Sequence, residues 1–139
     1  MANDQPMSEP PRPPLKLLLA EDNVVNQKVT AALLTRLGHH VCVAEDGIEA
    51  LKAVQTEHFD AILMDVQMPN MDGLEATRAI RDLPDGKGRL PIIAMTAGSA
   101  EEDAERCLAA GMDGHVGKPF DTRKFFALLD QCLKNRREP

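Results

Sequence analysis

The sequence predicts a doubly wound α/β fold, a five-stranded parallel sheet covered on both faces by five helices. Three observations carry this. Five short apolar runs recur along the chain, and each is followed by a segment whose apolar residues return at helical spacing. The runs are apolar throughout, as strands are when both faces of a parallel sheet are covered. At 139 residues the chain has room for one such domain and too little for two ordinary ones.

Residues 1–14 carry five prolines and no apolar periodicity, and read as a disordered tail or linker. The domain is expected over residues 15–135, with 136–139 a C-terminal tail. Leu17–Ala20 is the first strand. Val25, Val29, Ala32, Leu33 and Leu37 then mark the inward face of a first helix, with Asn23 as its N-cap and Gly38 as its stop. Val41–Ala44 is the second strand, and Ala50, Leu51 and Val54 face inward from the second helix. Ala61–Met64 is the third strand. After a Pro/Asn/Gly loop, Leu74, Thr77 and Ile80 line the third helix. In that loop Pro69 fixes the path of the chain, and Gly73 is expected to supply a positive φ. Ile92–Met95 is the fourth strand, and Ser99 with Glu102 signals a capping box for the fourth helix, which ends near Gly111. Gly114–Val116 is the fifth strand. Phe125, Leu128, Leu129, Cys132 and Leu133 line the last helix, and the basic Lys134–Arg137 run suits its C-terminal dipole. By analogy with flavodoxin-like folds the strand order is 2-1-3-4-5.

Composition narrows the function. Hydrophobic residues make up 43% and charged residues 27%, which suits a soluble domain with a core, and that core must be largely aliphatic because there are four Phe and no Trp or Tyr. The scarcity of aromatics argues against base-stacking platforms, and a net charge of -6 argues against general binding to nucleic-acid phosphates. Cys42, Cys107 and Cys132 lack metal-ligand spacing and read as reduced thiols of a cytoplasmic protein. Met64 and Met68 read as packing residues. No apolar run approaches the roughly 20 residues of a membrane helix, and the N-terminus lacks a signal-peptide core. Six residues follow Leu133, so no nucleic-acid-binding effector domain is expected in this chain.

In open parallel sheets the site forms at the carboxyl ends of the strands, where the winding reverses. Glu21 and Asp22 follow the first strand, Asp65 ends the third, Thr96 ends the fourth and Lys118 follows the fifth. Strands one and three are neighbours in the expected order, so three carboxylates converge. Their repulsion calls for a proton or a cation, and all-oxygen donors suit Mg²⁺. A lysine and a hydroxyl beside them shape a site for a phosphoryl group, whose transfer depends mainly on positioning and charge neutralisation. Each residue alone has a plainer explanation, as a loop pair, a turn cap, a strand end or a surface charge. Their joint placement at the ends of four strands is what points to phosphoryl chemistry.

The segments LLLAEDN, ILMDVQMPNMDGLEATRAIR, PIIAMTA and AGMDGHVGKPF resemble the bacterial response-regulator receiver family, over about Leu17 to Leu133. The tract MDVQMPNMDGLEATRAIR resembles receivers of hybrid sensor histidine kinases. The resemblance implies a phosphoacceptor of a two-component phosphorelay. Asp65 would be the nucleophile toward phosphohistidine on a histidine kinase or histidine phosphotransfer domain. Asp22, Asp65 and the backbone carbonyl of Gln67 would ligate Mg²⁺, with Glu21 acting through a metal-bound water. Thr96, the Ala97 amide and Lys118 would hold phosphate oxygens, and the Lys118–Pro119 peptide would be cis. Such a domain catalyses its own phosphorylation and dephosphorylation, so "enzyme" describes it only in part. The resemblance admits a homodimer through the face of helix four, strand five and helix five. Two positions depart from the pattern: Glu21 replaces an aspartate of many members, and His115 stands at the aromatic switch position that works with Thr96. A haloacid-dehalogenase-type phosphatase would need a second aspartate where Gln67 stands, together with cap insertions. A pseudo-receiver would have lost one of the five site residues.

Overall fold

The computed structural model describes residues 13–84, 86–96, 101–117 and 121–137. Strands β1 (Lys16–Ala20), β2 (His40–Ala44), β3 (Ala61–Asp65), β4 (Ile92–Thr96) and β5 (Gly114–Gly117) alternate with helices α1 (Val24–Arg36), α2 (Gly47–Thr56), α3 (Gly73–Arg81), α4 (Glu101–Ala110) and α5 (Thr122–Arg137). All strand pairs are parallel and the order is β2-β1-β3-β4-β5, as the sequence predicts. The register sets Leu19 beside Leu63, Asp65 beside Met95, and Thr96 beside Gly117. Helix α5 continues past residue 135 to Arg137. The expected 1–14 tail falls almost wholly outside the described residues, as does Ser99 of the expected capping box.

Alternate residues of each strand feed two separate cores. Leu18, Ile62, Met64, Ile92 and Ala94 pack against Ala50 and Val54 of α2, Leu74 and Ile80 of α3, and Cys107 of α4. Leu17, Leu19, Leu63, Ile93, Met95 and Val116 pack against Leu34 of α1 and Phe125, Phe126 and Leu129 of α5. Phe126, absent from the predicted core, is 1% exposed and meets Phe125 edge-on at 4.9 Å. Such ring pairs add about 0.5–1.5 kcal/mol beyond the area they bury.

Two local expectations are overturned. Val25 and Val29 do not face the core: they are 67% and 54% exposed, and Ala32 is exposed with them. The buried residues of α1 are Thr30 and Leu34. Gly73 does not have a positive φ. Glycine is required there because a Cβ would collide with the Asp65 carbonyl oxygen and the Met64 side chain. The positive φ in this loop belongs to Asn70, at 67°. The other terminal signals match: Asn23 caps α1 through Asn26 N–H at 3.0 Å, and Gly38 leaves the helix at φ 98°.

Candidate phosphoryl-transfer site

Three carboxylates meet at the carboxyl ends of β1 and β3. Glu21 and Asp22 leave β1 just before the first turn of α1, and Asp65 is the last residue of β3. One ligand oxygen from each lies within 4.8 Å of the others. Glu21 and Asp65 are buried and Asp22 is exposed, so the cluster has a closed floor and an open side. Its short loop is held tightly. Glu21 N–H donates to the Ala44 carbonyl at 2.9 Å, and Asn23 N–H donates to Glu21 Oε2 at 3.1 Å. The Gln27 side-chain amide donates to the Glu21 carbonyl at 2.6 Å. This last bond, from one turn into α1, joins residues whose link the sequence does not signal.

Asp65 is equally constrained. Its Oδ1 accepts from Gln67 N–H at 3.2 Å. Val66 N–H donates to the Met95 carbonyl, extending the ladder one residue beyond the strand, and Gly73 N–H returns to the Val66 carbonyl at 2.9 Å. Asp72 and Glu75 close a reciprocal capping box on α3, with bonds of 2.9 and 3.1 Å. The pair stands in the sequence as an Asp with Glu three residues on, a signal unused in reading it. Thr96 is buried at the end of β4, the strand beside β3. His115 lies on β5 opposite Ala94 and is partly exposed. By strand alternation it projects from the same face of the sheet as Thr96. Met64 is fully buried and Met68 packs against the same core, in line with packing roles. Ala97, Lys118 and Pro119 lie outside the described residues.

A donor set of three carboxylates, with no His or Cys in it, fits a hard divalent cation and not a soft one. Like charges this close favour binding such an ion, because the ion relieves their repulsion.

A family profile described as response regulator receiver domain matches residues 17–130. The chain belongs to the response regulator receiver family. This receiver domain is 39% identical to a probable histidine kinase 1 of Oryza sativa subsp. indica over 89% of its length, and 44% identical to hybrid signal transduction histidine kinase B of Dictyostelium discoideum over 86%. It spans only 16% and 6% of those proteins. Among solved structures it is similar to the receiver domain of a sensor histidine kinase from Pseudomonas aeruginosa, with magnesium coordinated in that protein's active-site cleft. The TM-score is 0.78 at 42% identity, covering 88% of this chain and 99% of the other. A response regulator from Chloroflexus aurantiacus gives a TM-score of 0.81 at 26% identity. No helix among the described residues of the receiver domain is long and apolar enough to cross a membrane.

Proposed function

We propose that this receiver domain accepts a phosphoryl group on Asp65 from phosphohistidine of a histidine kinase or histidine phosphotransfer domain, with Mg²⁺ as cofactor. The observation that carries the reading is the carboxylate triad on two adjacent strand ends, with ligand atoms within 4.8 Å and one open side. In the transfer, a carboxylate oxygen of Asp65 forms a bond to phosphorus while the phosphorus–nitrogen bond breaks, and the electron pair returns to the imidazole. The bound cation supplies neutralising charge on the phosphoryl oxygens. Asp22, Asp65 and the Gln67 carbonyl would hold it, with Glu21 acting through a water. Thr96, the Ala97 amide and Lys118 hold the remaining phosphoryl oxygens, the type of preorganised donor arrangement that stabilises developing charge. Thr96 then couples phosphorylation to the face of α4, β5 and α5, with His115 in place of the usual aromatic, and a homodimer can form on that face. The domain works in the cytoplasm.

The donor docks on α1. Val24, Val25 and Val29 are 55%, 67% and 54% exposed, and Val25 and Val29 lie one turn apart on the outer side of the helix that follows Asp22.

Acetyl phosphate with Mg²⁺ tests the reading. Intact-mass spectrometry should show one added phosphoryl group in the wild type and none in Asp65→Asn. Equal labelling of the variant would overturn it.

A further inference from the structure

The loop joining β3 to α3, residues 66–72, carries Gln67 and the chain leaving Asp65. It is fixed at its root by Gly73 N–H on the Val66 carbonyl and by Gln67 N–H on Asp65 Oδ1. Its tip is fixed from outside, by the amino end of α2. The Asn70 side-chain amide donates to Asp46 Oδ2 at 2.7 Å, across 24 residues of sequence. The other oxygen of the same carboxylate accepts Glu49 N–H at 2.9 Å and caps α2. Beside it, Gly47 N–H donates to the Met71 carbonyl at 2.9 Å. A Cβ on residue 47 would run into that carbonyl and the Met71 side chain, so the approach depends on glycine. Asn70 meanwhile holds a left-handed backbone, the only non-glycine to do so among the described residues. Side-chain-bearing residues avoid that region, asparagine less than most. The bonds at the tip therefore maintain a loop shape that the free chain would not keep.

We propose that Asp46 and Asn70 are positioning residues: the amino end of α2 clamps the loop tip and so presets the Gln67 carbonyl and the Asp65 carboxylate for the cation. The inference rests on the phosphoacceptor reading above. Without the clamp the loop must be ordered when the cation binds, and that ordering weakens affinity.

Asn70→Gly accepts the positive φ and removes the side-chain donor, and Asp46→Ser on its own, which leaves the loop backbone unchanged and should weaken Mg²⁺ similarly, separates the lost bond from the backbone freedom that glycine adds. Asp46→Ser keeps an N-cap but lacks the second oxygen that reaches Asn70. Mg²⁺ affinity of the unphosphorylated proteins is measured by calorimetry, and amide exchange at Gly47 and Gly73 by NMR without metal. Asn70→Gly should weaken Mg²⁺ about three- to tenfold, the range one hydrogen bond commands. It should also speed exchange at both amides, and adding Asp46→Ser should weaken Mg²⁺ little further. Wild-type affinity and wild-type exchange in Asn70→Gly, with the wild type binding normally, would overturn the clamp alone. A wild type that binds no Mg²⁺ would overturn the metal reading and with it this role, whatever the exchange rates.

Discussion

The two edges of the sheet treat charge in opposite ways. At the amino edge, Arg81 at the end of α3 meets Asp113 at 2.9 Å, with both side chains largely buried at 20% and 24% exposure. Arg81 also donates to the carbonyls of Gly111, Gly88 and Leu90 at 2.6–2.8 Å. Asp113 accepts Ile92 N–H at 2.9 Å. Opposite charges there tie α3 to the starts of β4 and β5. At the carboxyl edge, Glu21, Asp22 and Asp65 bring like charges together. The first arrangement pairs opposite charges within the fold; the second is built for an incoming cation. Burial does not sort the two edges, since Arg81 and Asp113 lie between the buried Glu21 and Asp65 and the exposed Asp22; the sign of the neighbouring charge distinguishes the structural site from the chemical one.

If that contrast is right, the two edges should fail differently. Arg81→Ala should cost about 2–4 kcal/mol in urea unfolding, because it takes the cation from the Asp113 carboxylate, which keeps the Ile92 amide, and leaves three carbonyls without the guanidinium donors. A loss below about 1 kcal/mol would show that the edge does not depend on the pair. Asp22→Asn should do the reverse. Metal-free stability should hold or rise as repulsion is relieved, while Mg²⁺ binding measured by calorimetry should weaken at least about tenfold. Unchanged affinity would remove Asp22 from the site.

Asp46 sharpens the comparison with a carboxylate whose neighbours are donors. The Glu49 amide, then the Asn70 side chain, hold its carboxyl below the usual carboxylate range. A group lowered on folding stabilises above its unfolded pKa, near ~4, and loses that contribution as pH falls through the folded value. Asp46→Ala should therefore cost about 1 kcal/mol at neutral pH, and the gap from wild type should shrink in acid. A pH-independent gap would mean that the charge is immaterial. The smallest structural effect is expected on α1. Val25→Glu and Val29→Glu should shift stability by less than about 0.5 kcal/mol. They should slow phosphotransfer from a phosphohistidine donor and leave labelling by acetyl phosphate unchanged. Equal slowing of both would point to damage in the pocket.

The sheet order and the carboxylate triad were legible because strand runs and strand-end residues are local features. The face of α1 was not. Its valines follow helical spacing, but the helix rolls so that Thr30 and Leu34 meet the sheet, a choice made by tertiary packing and by what α1 leaves outside. Gly73 was recognised as necessary for the wrong reason: the demand comes from the Asp65 backbone beside it, and a turn signal cannot report such proximity. The Arg81–Asp113 and Asp46–Asn70 contacts join residues far apart in sequence, and nothing local marks either pair.

Asp65 as the acceptor is the central proposal. The most direct test phosphorylates the wild-type protein with acetyl phosphate and Mg²⁺, reduces the acyl phosphate with borohydride, and maps the product by peptide mass spectrometry. Homoserine is expected at position 65 and nowhere else. Reduction product at Asp22 or Glu21, or phosphate retained elsewhere with Asp65 intact, would contradict it.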